Sequence, residues 1–159
     1  MIDLHELSAT QLVHAFRHGE LSPVEVARDV LAHIERWEPH LQATWALNAE
    51  SALDAARASE ARWLRQQPTG ALDGVPVTLK ENIATRGLAL PLGTAATELI
   101  PAADDAPPAA RLREDGAVLL CKTTMPDYGM LSSGLSSFHA KWGKLTRNPW
   151  DLSKNPGGS

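Results

Sequence analysis

Two places in this sequence put a reactive side chain where its surroundings would alter its chemistry. Lys80 ends the run Val75-Pro-Val-Thr-Leu-Lys80, in which Val75, Val77 and Leu79 alternate with other residues at the two-residue period of a strand. A lysine closing an otherwise apolar strand faces burial, and burial lowers its pKa because the charged form loses hydration. Bringing it from about 10.4 to near 7 costs about 4–5 kcal/mol, which proteins seldom arrange for a merely structural residue. The product is a neutral amine that can serve as a base. The alternative is a side chain that snorkels to water beside Glu81. The second place is Pro156-Gly-Gly-Ser159, where two glycines permit backbone angles and close approaches closed to other residues, so that a strained turn can present the serine. The same composition also suits a flexible linker.

Other combinations carry less. His14 and His18 are spaced as two ligands on one helix face, but Ala15 stands where a metalloprotease carries its glutamate, and no third ligand is evident in the sequence. His18 near a helix end answers the helix dipole instead, and no metal site is expected. Gly87, Gly93 and Gly116 are not followed by the Gly-Lys-Ser/Thr of a phosphate loop. Ser132, Ser133, Ser136 and Ser137 are near one another, yet Gly134-Leu-Ser136-Ser-Phe138 lacks the closing glycine of a nucleophile elbow and reads as loop. The tryptophans are scattered and read as packing residues.

The elements that must position these groups are punctuated clearly. Ser8 and Gln11 form a capping box with Leu7 and Leu12 as its staple, predicting a helix from Ala9 to His18 that stops at Gly19. Ser22, Pro23, Glu25 and Val26 repeat the same grammar. The stripe Val26, Val30, Ile34 and Trp37 then predicts a second helix that Pro39 ends. A third, rich in Ala, Glu and Arg, spans about Ala49 to Gln66. After the strand that ends at Lys80, Ala109 to Glu114 reads as helix. Ala117 to Cys121 reads as a strand covered on both faces, so helices and sheet strands alternate. From Thr123 onward the chain is loop with short helical turns.

Composition narrows the function. Of 159 residues, 43% are apolar and 21% charged, near the globular average, which argues against a disordered or fibrous chain. Fifteen Lys and Arg against nineteen Asp and Glu give a net charge of −4, with no footprint for nucleic acid or anionic lipid. The single Cys121 cannot form an internal disulfide, and no apolar run reaches membrane-spanning length, so the cytoplasm is the expected location.

Two separated segments carry a resemblance. Leu72-Asp-Gly-Val-Pro-Val-Thr-Leu-Lys-Glu-Asn-Ile83 and Arg147-Asn-Pro-Trp-Asp-Leu-Ser-Lys-Asn-Pro-Gly-Gly-Ser159 resemble the amidase signature family in content, order and spacing. Gly93-Thr94, the strand Val118 to Cys121 and Thr123-Thr-Met-Pro-Asp-Tyr-Gly-Met130 fall between them in that family's order. The resemblance implies an α/β/α fold, a mixed sheet flanked by helices, of which this chain is the N-terminal part. Residues 1–66 would form an N-terminal helical segment and 67–159 the start of the catalytic core.

The family hydrolyses or transfers amides through a Ser-Ser-Lys triad, without metal or organic cofactor. By resemblance Lys80 is the base, Ser159, on an unusual cis peptide, relays the proton, and a second serine attacks the carbonyl. Tyr128, Gly129 and Met130 match a segment bordering the acyl side of the substrate pocket, with Asp127 at its edge, and Trp150 anchors the Asn-Pro-Trp-Asp turn. The sequence stops before the family's nucleophile and oxyanion glycines. A C-terminal carboxylate at Ser159 would also keep Lys80 protonated, so the 159-residue polypeptide alone is expected to lack amidase activity. The expected function is hydrolysis of a small-molecule carboxylic amide to acid and ammonia or amine. Leu-Pro-Leu-Gly93 and Ser132-Ser-Gly-Leu-Ser-Ser137 read more like a stand-alone amidase than the rival, the amide-hydrolysing subunit of a heteromeric amidotransferase. A third reading is a non-catalytic fragment that associates through exposed apolar surface. Neither nucleic acid nor membrane is an expected partner, and a homo-oligomer is compatible with the sequence.

Overall fold

A computed structural model describes residues 3–158. Its elements run α1 (Ala9–His18), α2 (Pro23–Leu41), β1 (Thr44–Trp45), α3 (Ala49–Leu64), β2 (Pro76–Lys80), α4 (Pro107–Glu114), β3 (Val118–Thr123) and α5 (Ser137–Ala140). The strands form one sheet in the order β1-β3-β2. β1 lies antiparallel to β3, with Thr44 opposite Thr123 and Trp45 opposite Lys122. Val118 N–H donates to Val75 O at 2.9 Å and Glu81 N–H to Thr123 O at 3.0 Å, so β2 and β3 ascend together and the sheet is mixed. This is an α/β chain. Among the described residues no helix is long and apolar enough to cross a membrane.

The contacts divide the chain into two compact units. The first is drawn from the segment up to Arg36, from Asn48–Thr78 and from Ala110–Leu120. Its core is Leu12, Phe16, Val26, Trp63 and Val75, with Leu7, Val13, Leu21 and Val30 packed around them. The helix starts are as the sequence dictates: Ser8 and Gln11 form the reciprocal capping box of α1, and Gly19 ends it in the left-handed conformation at φ 69°. Ser22 and Glu25 make the same exchange at the start of α2. Pro39, expected to end α2, instead lies inside it, and the helix continues to Leu41. Its fixed φ is itself helical, and it sits within the last turn, where the chain turns out under the Glu38 carboxylate, which accepts from Ala43 N and Thr44 N.

A buried charge pair fastens α3 to the segment before β2. Asp73, fully buried, accepts from Arg62 Nε at 2.8 Å and Nη2 at 2.6 Å and from Thr69 N at 2.8 Å, while its carbonyl accepts from the Trp63 indole. Burial works to raise the Asp73 carboxyl, but the Arg62 and Thr69 hydrogen bonds hold it below the ordinary carboxylate value. Asp73→Ala is expected to lower stability by about 3 kcal/mol in urea unfolding, because it strands a partly buried guanidinium. Since the folded-state pKa is depressed, the pair's contribution is whole above the unfolded carboxyl pKa. It disappears as pH falls through the lower folded-state value, so the wild-type advantage over Asp73→Ala shrinks in acid.

The second unit comprises Trp37–Leu47, Leu79–Ala109 and the chain from Cys121 on. Leu79, Ala109, Cys121, Met125 and Phe138 are its buried apolar residues, and Trp45 meets Phe138 edge-on at 5.4 Å between ring centroids. Burial, followed by the Glu38 charge, pushes the Cys121 thiol up to about 11, which leaves it protonated and inert. The unit also buries Glu81, Thr85, Thr94, Lys122, Ser136 and His139, an unusually polar interior.

Candidate active site

Lys80 is the last residue of β2 and is half-buried. It lines a cavity of about 300 Å³ together with Thr123, Thr124, Met125, Gly157 and Gly158. The lysine-bearing strand and the glycine turn, far apart in sequence, thus line one cavity. Ser159 itself lies outside the described residues.

The segment upstream of the glycine turn is anchored at residues 145–147, and within the turn Gly157 N donates to Asn155 Oδ1 at 2.9 Å. Leu145 N donates to Gln42 Oε1 at 2.6 Å, Arg147 N to Leu41 O at 2.8 Å, and Thr146 Oγ1 pairs with Thr124 Oγ1 at 2.7 Å. The Asn148–Asp151 turn is closed by main-chain bonds and by Asn148 Oδ1, which accepts from Trp150 N at 2.9 Å. Trp150 does not anchor that turn, contrary to the expectation from sequence: its side chain is 91% exposed. The two glycines do different work. Gly157 has φ 93° with open space where a Cβ would stand, whereas a Cβ on Gly158 would lie 1.9 Å from Leu131 O. One supplies a backbone angle and the other a backbone-to-backbone approach.

Behind this cavity lies a second lysine that the sequence pattern does not single out. Lys122 is 1% exposed, and its ammonium donates to Ile83 O and, at 2.9 Å, to Thr85 Oγ1. Burial pushes it down to about 8, against the Glu81 and Asp105 carboxylates, which pull the other way. Glu81 is fully buried; its carboxylate accepts from Gly93 N and pairs with His139 Nε2 at 2.5 Å. Glu81 therefore does not stand at a solvent edge.

A family model described as Amidase matches residues 25–159. The chain belongs to the amidase family. A glutamyl-tRNA(Gln) amidotransferase subunit of Salinispora arenicola (strain CNS-205) is 38% identical over the whole chain, which covers 32% of that protein. The structure of native peptide amidase from Stenotrophomonas maltophilia superposes with a TM-score of 0.84 at 30% identity, over 97% of this chain and 32% of that one. A fatty acid amide hydrolase shares the fold, with a TM-score of 0.88 at 24% identity, over 98% of this chain and 27% of that one. The chain thus spans about a third of the length of these amidase-family relatives.

Within this amidase-family chain the remaining expected site residues are dispersed. Tyr128, Gly129 and Met130 are not among the residues lining the Lys80 cavity; Tyr128 is 55% and Met130 85% exposed. Their neighbours Met125 and Pro126 line it instead. Asp127 accepts from both the N–H and the hydroxyl of Ser137, which fixes the start of α5. Of the four clustered serines, Ser136 caps α5 and donates to Gly93 O at 2.6 Å. Elsewhere, Glu20 lies beside His14 and His18, with one possible ligand atom of each within 4.8 Å of the others, a proximity the sequence did not reveal; all three are exposed. His18 Nδ1 is engaged by His14 O at 2.8 Å.

Proposed function

We propose that this chain is about a third of an enzyme that hydrolyses a carboxylic amide to acid and ammonia or amine, with Lys80 as general base and Ser159 as proton relay. The single observation that supports this most is the cavity shared by Lys80 and Gly158, the residue that precedes Ser159. A neutral lysine in that cavity accepts a proton through the bridging serine hydroxyl and so activates a second serine, contributed from outside these 159 residues, for attack on the amide carbonyl. Collapse of the tetrahedral intermediate returns the proton to the leaving amine, and water completes the cycle by hydrolysing the acyl-serine. Tyr128, Gly129 and Met130 border the acyl group in this reading once the rest of the chain closes the pocket.

A second reading has specific support: curated relatives from several organisms are subunits of a glutamyl-tRNA(Gln) amidotransferase. On that reading the released ammonia passes to another site in a heteromeric complex.

One experiment separates the readings. The complete polypeptide carrying this segment is assayed for ammonia release from acetamide, benzamide, an amino-acid amide and glutamine. Turnover of a simple carboxamide by the isolated protein supports the stand-alone amidase. Glutamine turnover that requires a copurifying protein supports the amidotransferase, and no ammonia from any of the four rejects both.

A further inference from the structure

We infer that Lys122 is a positioning residue for Lys80, holding from behind the turn that follows the base and adding a positive charge to its surroundings. The inference rests on the reading of Lys80 as general base.

The path between the two lysines is short. Lys122 donates to Ile83 O, and Ile83 N donates to Lys80 O at 3.0 Å, so two hydrogen bonds connect the buried ammonium to the main chain of the base. Thr85 Oγ1 braces the same carbonyl at 3.1 Å while accepting from Lys122. On the other side of the turn, Glu81 is fixed by His139, Gly93 N and Thr123 O. Successive residues of a strand point to opposite faces, and Thr123 lines the Lys80 cavity, so Lys122 works behind that cavity without lining it.

A buried ammonium is a costly way to hold a turn, because an apolar side chain of similar shape would pack as well or better. What methionine cannot supply is the pair of directed bonds and the charge. The charged and titratable groups facing this cluster are Glu81 and Asp105 about Lys122, and His139 about Glu81. Below about pH 8 Lys122 is a cation, and a cation near Lys80 disfavours protonation of the base. Removing it also leaves the Glu81 anion, next to Lys80 in the chain, less compensated. Both losses, in the variant, make a positive charge beside Glu81 more favourable than in the wild type.

The test uses the complete polypeptide, with the fastest of the four amides above as probe. Lys122→Met is expected to lower kcat about tenfold with KM within about twofold, as a misplaced base would. The acidic limb of kcat/KM against pH moves up by about half a unit or more. A fall in kcat with that limb unmoved marks a merely structural residue and overturns the inference, as does wild-type kcat. If Lys122→Met does not fold, Lys122→Gln, whose amide offers Ile83 O a donor without the charge, is read by the pH limb: a moved limb supports the inference and an unmoved one overturns it. Lys80→Met is the control: if it turns over normally, the base reading itself fails. If it is dead while Lys122→Met behaves as wild type, only the positioning inference fails.

Discussion

Lys80→Met in the complete polypeptide is expected to lower kcat/KM for amide hydrolysis by about three to four orders of magnitude, the contribution of a well-placed general base. The loss should appear in kcat, with KM nearly unchanged, because the lysine acts on a proton that moves only during reaction. Folding should survive: Lys80 is half-buried at the end of β2, and methionine preserves the stem that packs against the strand. Lys80→Arg sharpens the result. A guanidinium keeps the charge but stays protonated at any working pH, so it cannot serve as a base. If Lys80→Arg retained more than about a tenth of wild-type turnover, the residue would be acting through its charge and the base assignment would fall.

How much of this arrangement is legible in the sequence depends on how local its causes are. The ends of α1 follow from Ser8, Gln11 and Gly19, residues that bond within their own turn, and the structure reproduces them residue for residue. Pro39 departs from expectation because the rule against proline in helices describes interiors, and this proline sits in a last turn whose exit is capped by the preceding Glu38. The greater omission is Lys122. The argument that singles out Lys80, a lysine ending an apolar strand, applies with more force to Lys122, because the apolar run of β3 already implies cover on both faces. That run stops at Cys121, whereas β3 continues to Thr123. What no local rule can supply is the partnership: Glu81 bonds Gly93 N and His139 and acts through its charge on Lys122, groups of three other segments that only the folded chain brings together. The Lys80 and Gly158 cavity has the same non-local character, and family resemblance leads to it where spacing alone does not require it.

Gly158→Ala provides the second large effect, and it separates the geometry of the turn from the chemistry of the lysine. The added methyl would stand 1.9 Å from Leu131 O and 2.7 Å from the Cα of Ser132, both main-chain atoms that cannot rotate away. Relief requires the segment Pro156–Gly158 to move off the 131–134 backbone, by about an ångström or more, and the residue joined to Gly158 must move with it. A displacement of that size costs about a hundredfold in rate where a proton is relayed between fixed atoms. Gly157→Ala is the matched control. Its Cβ meets open space, so the penalty is confined to a φ of 93°, about 1 kcal/mol of backbone strain that the loop can partly relax. Kinetics on the complete polypeptide should therefore rank wild type, Gly157→Ala, Gly158→Ala in falling kcat, with nearly equal unfolding midpoints. Equal kcat for the two variants would mean that the close approach at Gly158 does not set the position of the relay. The case for the glycine turn as part of the active site would then rest on resemblance alone.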